Sequence, residues 1–250
     1  MLTSFYNRLM RKVKRIKSDM KDRVYTVNGE SPADTDRPPL PGSQGEHTLQ
    51  KADGTEKRAL NFYNYQMLDR LNTVMQEYIA RMEMVFISTA DSKGECDCSF
   101  RAGSPGFVQV LDDRHLIYPE YRGNGVMASL GNILENDHIG LLFVDFFETA
   151  VGLHVNGKAR IAENEELLSQ PDLPHTLRRE IEVQGGKKPE RWVLIQVEEA
   201  YIHCSKHIPL LSKQSKSIDW GTDNTAKKGG DFFKAKHEER PWSPKLESTR

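Results

Sequence analysis

Residues 114–145 read RHLIYPEYRGNGVMASLGNILENDHIGLLFVD, and this stretch decides the fold. Its pattern predicts a strand over 115–118, a basic glycine loop over 120–125, a short helix over 127–135 and a second strand over 139–145. Glycines let backbone N–H groups approach a ligand, and the guanidinium of Arg122 offers a planar set of donors that suits phosphate. The helix N-terminus behind the loop adds aligned N–H groups. The stretch therefore predicts a phosphate-binding site.

A dinucleotide site is the alternative interpretation of this loop. Gly123, Gly125 and Ala128 match G-x-G-x-x-A between a strand and a helix, and Asp145 ends the next strand, where a ribose-binding acid would be expected. However, residues 119–122 separate the strand from the first glycine, where a dinucleotide turn needs a tight connection. The surrounding strands are also spaced as hairpins, which is typical of an antiparallel sheet. The pattern therefore favours a phosphate site outside a dinucleotide fold.

Composition excludes several classes of protein. The 250 residues are 37% hydrophobic, carry a net charge of -1 and include three cysteines. This charge argues against a nucleic-acid binder, and three cysteines cannot form a complete set of disulfides. Apolar runs are too short to span a bilayer. We expect a protein of the reducing cytoplasm that does not bind nucleic acid.

The chain divides into four predicted regions. Residues 1–27 form a basic amphipathic segment, which predicts a membrane-surface helix, a targeting presequence, or a helix that packs on the domain or on a partner subunit. Residues 28–59 are rich in Pro, Gly, Asp and Ser and predict a disordered linker. A globular domain follows over 60–211, beginning with a helix over 61–80 that Asn61 or Asn64 could cap. Residues 212–250 predict a polar tail, disordered by default, whose aromatic residues Trp220, Phe232, Phe233 and Trp242 could anchor it to the surface.

Short strands with tight turns follow one another through the domain. They are predicted at 84–90, at 96–103 with a resumption over 107–111 after the break Ser-Pro-Gly, and at 115–118, 139–145, 150–162 and 191–204, which we count as about six strands with two helices inserted. Glycines at 152 and 157 predict a bend or bulge that lets a sheet curl. The pattern favours a small closed barrel over an open sheet.

Three further groups of residues carry possible chemistry. Cys96 and Cys98, with His203, Cys204 and His207, are zinc-ligand types, but a Cys-x-Cys strand lacks the usual ligand loop, so we predict no metal site. Arg101 lies in a half-buried strand and needs an anionic partner, either an internal carboxylate or a ligand phosphate, and we favour the ligand. Asn132 lies one helical turn beyond Ser129, so both side chains could face the loop or lie on a solvated face.

The placed motifs resemble the FMN-binding split-barrel group related to pyridoxamine 5'-phosphate oxidase. The resemblance spans about residues 68–211 and rests on MVFISTAD (84–91), SFRAGSPGFVQVLDDRHLIYPEYRGN (99–124), SLGNILEN (129–136), IGLLFVDF (139–146), LHVNGKARI (153–161) and EEAYIHCSKHI (198–208). It implies a mainly β, α+β fold: a six-stranded antiparallel split β-barrel with Greek-key connections and flanking helices. It also implies a homodimer with FMN at the interface.

Carried over by residue, the resemblance implies ten cofactor-binding positions. Arg101 and Gly103 would lie near the flavin, Phe107 and Val108 would present backbone to its ring, Tyr118 and Pro119 would flank the ring, and Arg122, Asn124, Ser129 and the weaker candidate Asn132 would hold the phosphate. The Ser-Arg-Lys clamp of the oxidase is replaced here by Arg-Gly-Asn-Gly, so vitamin B6 oxidation is not implied.

The resulting prediction is an FMN-dependent oxidoreductase that acts on an unidentified small molecule, with NADH or NADPH as a possible electron donor. No residue of the sequence is required to act as a general acid or base, so we predict no catalytic residue. The alternative is a non-catalytic flavin- or haem-binding protein that senses stress or redox state. A barrel that binds haem or a deazaflavin also stays open, with His154 and His203 as candidates for iron.

Overall fold

The fold is described here from a computed structural model, which covers residues 40–182, 189–219, 221–222, 224–227 and 230–242. The helices are α1 (Gln44–Ala52), α2 (Glu56–Gln66), α3 (Thr73–Ala80), α4 (Ala128–Glu135), α5 (Asn164–Leu168) and α6 (His175–Glu182). The strands are β1 (Met67–Leu68), β2 (Met84–Ala90), β3 (Cys96–Ala102), β4 (Gln109–Asp112), β5 (His115–Glu120), β6 (His138–Val144), β7 (Gly152–Ala162) and β8 (Arg191–His203). Short 3₁₀ helices lie at Ser205–His207, Thr225–Lys227 and Ala235–His237. The described residues divide into two compact units, one that ends at Met67 and one that begins at Leu68.

The described part of the first unit is helical. The Ser43 hydroxyl accepts a hydrogen bond from the Glu46 N–H at the start of α1, and the Gln50 amide donates to the Tyr63 hydroxyl at 2.7 Å, which joins α1 to α2. The prediction of a disordered linker over 28–59 is therefore wrong for 44–52 and 56–59. Every residue of both helices is at least partly exposed, so neither helix has the fully buried face that marks a helix of the core. Residues 1–39, with the basic segment, lie outside the described residues.

The predicted helix over 61–80 is interrupted. Helix α2 ends at Gln66, β1 follows, and α3 begins at Thr73. Asn72 caps α3, because its side-chain oxygen accepts a hydrogen bond from the Met75 N–H at 2.9 Å, whereas Asn61 and Asn64 lie inside α2. An N-cap asparagine in extended conformation starts a new helix, which explains the interruption within a continuous apolar periodicity.

An eight-stranded sheet forms the second unit. Its order is β3-β2-β6-β7-β8-β5-β4, with the two-residue β1 as the eighth strand. The pairs β2–β3, β2–β6, β4–β5, β5–β8, β6–β7 and β7–β8 are antiparallel. The mainly β, antiparallel fold class is thus confirmed, with eight strands where six were predicted. The predicted count was low because the two-residue β1 was not predicted and because the segment over 107–111, which overlaps β4, was counted as a continuation of the strand before it.

The core lies on both sides of β5. Leu116 and Tyr118 belong to the main hydrophobic cluster, together with residues of β2, β6, β7 and β8. Ile117 points the other way, into a second cluster with Leu177, Ile181 and Trp192. Successive residues of a strand face opposite sides of the sheet. One face of β5 is therefore buried in the main cluster, and the other is buried in the second cluster, to which α5 and α6 contribute. This burial fixes the end of β5, where the candidate site begins.

The predicted bulge lies at Gly157. The register between β7 and β8 shifts between Asn156 and Gly157, while Gly152 pairs regularly with His203. A Cβ atom added at Gly157 would collide with the backbone carbonyl of Gln196, so only glycine fits this close approach.

The C-terminal segment begins against the sheet. The Leu211 N–H donates to the Phe146 carbonyl at 2.6 Å, and the Lys213 ammonium donates to the Glu83 carboxylate at 2.6 Å. Farther along, Phe232, Phe233 and Trp242 are exposed, so these three do not anchor the tail, and Trp220 lies outside the described residues. No helix within the described ranges is long and apolar enough to cross a membrane.

Candidate functional site

A cleft of about 930 Å³ opens at the end of β5. Its walls come from β3, from the loop between β5 and α4, from the first turn of α4 and from the start of β8. Four of the ten predicted cofactor residues line it: Arg101, Arg122, Asn124 and Ser129. The other six lie elsewhere. The structure therefore brings together the residues that were predicted to bind phosphate, with the exception of Asn132.

The loop between β5 and α4 is ordered by its own side chains and glycines. The Asn124 side-chain oxygen accepts a hydrogen bond from the Val126 N–H at 3.0 Å, and Gly125 has φ +83°, which favours glycine. Met127 precedes α4 with φ +56°, a left-handed conformation that is rare for a residue with a side chain. Such conformations cost about 1–3 kcal/mol and cluster at ligand sites.

Arg101 forms an ion pair with Glu120 in the lining of the cleft. Its Nε and Nη2 atoms each lie 2.8 Å from Oε1 of Glu120, and Nη2 lies 3.5 Å from the Ser129 hydroxyl. The two side chains are 22% and 11% exposed. Burial raises the pKa of Glu120 above its ordinary value, against the opposing effect of the Arg101 charge. Of the two partners considered for Arg101, the structure supplies the internal carboxylate, which corrects our preference for a ligand.

This ion pair shows that the sheet curls. Strands β3 and β5 are separated by β2, β6, β7 and β8 in the sheet order. In a flat sheet they would lie about 24 Å apart, from five steps of about 4.8 Å. Side chains that meet at 2.8 Å require the sheet to bend back on itself, as in a barrel.

A second polar cluster lies beside the first turn of α4. The Ser129 hydroxyl donates to Oδ2 of Asp97 at 2.9 Å, and the Ser99 hydroxyl donates to the same oxygen at 2.8 Å. The two hydroxyl oxygens are 3.2 Å apart. Ser129 is thus already engaged by a carboxylate at the position where the resemblance implies a phosphate contact.

The rim of the cleft carries two further ion pairs. Nε of Arg122 lies 3.9 Å from the Glu190 carboxylate, and Arg191 lies 3.9 Å from Glu163. Arg122 is 59% exposed, so its side chain is accessible at the rim. The backbone N–H of Glu190 donates to the carbonyl of Glu120 at 2.8 Å, which ties this rim to the end of β5.

The predicted ring-contacting residues are buried outside the cleft. Phe107 and Val108 belong to the main core, and a Cβ atom on Gly103 would collide with the Phe107 side chain. Tyr118 is fully buried, and its hydroxyl has no hydrogen-bond partner within the described part of the chain. Pro119 pairs with Trp192 in the β5–β8 ladder. These residues are close in sequence to residues that line the cleft, but they do not line it themselves.

Asn132 also lies away from the cleft. Its side-chain amide donates to the Thr89 hydroxyl at 3.1 Å. The pair joins α4 to β2, so Asn132 has a structural contact in place of the loop-facing position considered for it.

The structure contradicts the dinucleotide alternative. Helix α4 connects β5, which lies between β8 and β4, to β6, which lies between β2 and β7, whereas a dinucleotide-binding crossover joins parallel strands. Asp145 accepts hydrogen bonds from the backbone of 147–149 and from the Thr149 hydroxyl. Burial alone would raise the pKa of Asp145, but these hydrogen bonds outweigh it and hold the pKa below its ordinary value. Asp145 therefore closes a turn.

Among the described residues, no group of three or more His, Cys, Asp or Glu side chains is placed to hold a metal ion. His154 and His203, the candidates for iron, are hydrogen-bonded to each other, with Nε2 of His154 2.9 Å from Nδ1 of His203. Burial, and then the charge of His203, lower the pKa of His154, which keeps this ring neutral at neutral pH.

Five site residues were missed from the sequence. Asp97 and Ser99 alternate with Arg101 along β3, so a period of two would have placed all three on one face. The others are Glu120, Glu190 and Arg191, which reach the cleft because β5 pairs with β8. That pairing joins positions about seventy residues apart and leaves no local signal.

Comparisons with known proteins give one matching family model and several similar solved structures. A family model described as pyridoxamine 5'-phosphate oxidase matches residues 71–204, more than half of the chain. Among solved structures, HupZ of Group A Streptococcus is 22% identical, with 53% of this chain and 93% of that chain covered and a TM-score of 0.40. General stress protein 26 of Bacillus anthracis is 16% identical, with 51% and 89% covered and a TM-score of 0.31. A search of curated proteins finds no match.

The matched region begins in the strand-rich second unit and ends just after β8. It includes the whole sheet from β2 onward and every wall of the cleft. The match confirms the resemblance seen in the motifs and, with it, the split-barrel fold class. The chain belongs to the pyridoxamine 5'-phosphate oxidase family.

Proposed function

We propose that the protein binds FMN in the cleft and is an FMN-dependent oxidoreductase acting on a small molecule. The observation that carries this proposal is the cleft itself: in a member of this family, Arg101, Arg122 and Ser129 converge with the N-terminal turn of α4. Guanidinium groups and a helix N-terminus are the groups that proteins use for phosphate. When bound, FMN supplies hydride or electron transfer, while the protein positions it.

The cleft fits a cofactor of this size. Its volume of about 930 Å³ lies within the range of about 300–1,000 Å³ that is usual for ligand sites. Arg101, Arg122, Asn124 and Ser129 are the proposed phosphate-binding residues, and Arg101 is the less exposed of the two arginines. The roles of Gly103, Phe107, Val108, Tyr118, Pro119 and Asn132 stay predictions from the resemblance, since these residues lie outside the cleft of the single chain.

An FMN titration tests the site. The purified protein should show a flavin absorption spectrum, or gain one on addition of FMN, with the released ligand identified by its mass. Arg122→Ala should weaken FMN binding by about 2 kcal/mol, roughly 30-fold, the cost of a lost hydrogen bond to a charged group.

The matched control is Arg160→Ala. Arg160 is similarly exposed and ion-paired, with Glu166 at 2.7 Å, but lies on β7 outside the cleft lining. It should bind FMN as the parent protein does. Equal affinity of all three proteins would contradict the assignment of Arg122, and a protein that refuses FMN altogether would remove the cofactor proposal.

We propose a homodimer, as the family resemblance implies. Phe100, Val126 and Met127 line the cleft and are nevertheless exposed. Exposed apolar side chains at a site rim are typical of surfaces that a partner covers. The protein should sediment at twice the mass of the single chain, and Phe100→Glu should shift it toward the monomer. Phe232→Glu, at an exposed phenylalanine of the C-terminal segment, is the control. A monomeric parent protein would contradict the proposal.

Turnover distinguishes an enzyme from a passive flavin- or haem-binding sensor. Oxidation of NADH or NADPH by the FMN-loaded protein, with an artificial acceptor, is the expected result, whereas bound FMN without turnover would favour the sensor. The reducing cytoplasm is the proposed compartment, because Cys96, Cys98 and Cys204 are exposed free thiols. Imaging of the tagged protein in another compartment would contradict this.

A further inference from the structure

The charges inside the cleft cancel. Its lining contains three arginines and three carboxylates: Arg101, Arg122 and Arg191, with Asp97, Glu120 and Glu190. The least exposed of these pairs is Arg101–Glu120, in which Oε1 of Glu120 accepts a hydrogen bond from Nε and also lies 2.8 Å from Nη2. A dianionic phosphate that enters the cleft meets a guanidinium already neutralised by a protein carboxylate. Binding at Arg101 therefore requires an exchange of partners.

We propose that Glu120 competes with the ligand phosphate for Arg101. When the phosphate binds, Glu120 releases Arg101 and takes up one proton from solvent. This inference rests on the proposed binding of FMN in the cleft. The step converts the Glu120 carboxylate into a carboxylic acid, and no other bond forms or breaks.

The surroundings of Glu120 favour this proton uptake. The residue is buried at the end of β5, so a carboxylate without its guanidinium partner would be left in a poorly solvated position. Two positive groups face Glu120. They are Arg101 on β3 and Arg191 on β8, which is paired with Glu120 in the β5–β8 ladder. Asp97 on β3, Glu190 before β8 and the buried Tyr118 phenol on β5 are the acidic groups nearby. Among the described residues that line the cleft there is no histidine, so Glu120 is its best-placed proton acceptor.

The sign of the pH dependence follows from this exchange. Burial already raises the pKa of Glu120 in the free protein, and both the loss of Arg101 and the approach of a phosphate raise it further in the complex. The complex therefore binds more protons than the free protein between these two pKa values. Across that interval, FMN affinity should fall about tenfold for each unit of rising pH.

Calorimetric titration with FMN between pH 7 and 9 tests the proposal, because the second ionisation of a phosphate monoester, near pH about 6, is then complete. Repeating the titration in two buffers of different ionisation enthalpy measures the protons taken up. The parent protein should take up about one proton per FMN within the interval. Glu120→Gln should bind FMN about tenfold more tightly at pH 8, with no proton uptake. Glu166→Gln, outside the cleft, should behave as the parent protein.

The outcomes separate this inference from the proposed function. Riboflavin, which lacks the phosphate, should bind with no proton uptake in either protein. FMN binding by the parent protein without proton uptake, and with equal affinity in Glu120→Gln, would overturn the inference and leave the FMN proposal standing. Binding of FMN by Glu120→Gln alone would support the competitor role. Failure of both proteins to bind FMN would overturn the FMN proposal and this inference with it.

Discussion

Trp192→Ala is expected to lower the free energy of unfolding by about 4 kcal/mol, within the range of large-to-small changes at buried aromatic residues. The Trp192 ring is fully buried in the second hydrophobic cluster, beside Ile117 and Leu177. Its indole N–H donates to the side-chain oxygen of Asn164 at 2.9 Å, so truncation leaves both a cavity and a buried acceptor without its donor. Urea unfolding followed by circular dichroism measures the loss.

Two controls separate the cavity from the hydrogen bond. Trp192→Phe keeps most of the ring volume and removes only the N–H, so it should cost about half as much. Trp242→Ala removes the same side chain from a position that is 80% exposed and should change stability by less than about 0.5 kcal/mol. A cost below about 1 kcal/mol for Trp192→Ala would mean that the second cluster contributes little to the fold.

Arg101→Ala is expected to destabilise the protein by about 3 kcal/mol at pH 8, the typical cost of leaving a buried charge without its partner. Glu120 is buried, and Arg101 gives it one hydrogen bond, from Nε, and one ion-pair contact, from Nη2. Arg160→Ala, which breaks an exposed pair with Glu166, should cost less than about 1 kcal/mol. Denaturant unfolding of both variants at one pH measures the difference.

The Arg101→Ala variant should regain stability as the pH falls. Without Arg101, the folded-state pKa of Glu120 rises further above its unfolded value of about 4.3, so the folded state binds more protons between these two pKa values. Stability then decreases as pH rises through this window and is greatest below it. The double variant Arg101→Ala/Glu120→Gln removes the charge and should recover more than half of the loss. A pH-independent loss, or no recovery in the double variant, would contradict the role assigned to the pair.

Local patterns were sufficient to predict the main elements. The spacing of apolar residues predicted a helix over 127–135 and α4 occupies Ala128–Glu135, while the strand predicted over 84–90 matches β2. These signals are strong because one face of each element is buried, and burial selects the residues that face the core. Helix α1 and the start of α2 bury no residue and lie in a stretch rich in Pro, Gly, Asp and Ser, so they were predicted as linker. The break between α2 and α3 was missed because apolar spacing continues across it.

The residues proposed to bind phosphate could be found from the sequence because they are neighbours in the chain. Arg122, Asn124 and Ser129 lie within eight residues of one another, in a loop and helix start that glycines mark. The carboxylates Glu120 and Glu190 could not be assigned to the site from the sequence. Glu120 meets Arg101 only because the sheet closes, and Glu190 reaches the rim only because β8 pairs with β5.

The sequence by itself determined the antiparallel, mainly β fold class, the loop and helix that form one wall of the cleft, and the motifs of the pyridoxamine 5'-phosphate oxidase family. All of these depend on residues that are neighbours in the chain. Only the tertiary structure decided the partner of Arg101, the cancellation of charge in the cleft and the burial of Tyr118. Those features depend on strands that are distant in sequence and on a curl of the sheet that brings β3 to β5. The side-chain periodicity of one strand does not indicate which distant strand that strand will contact.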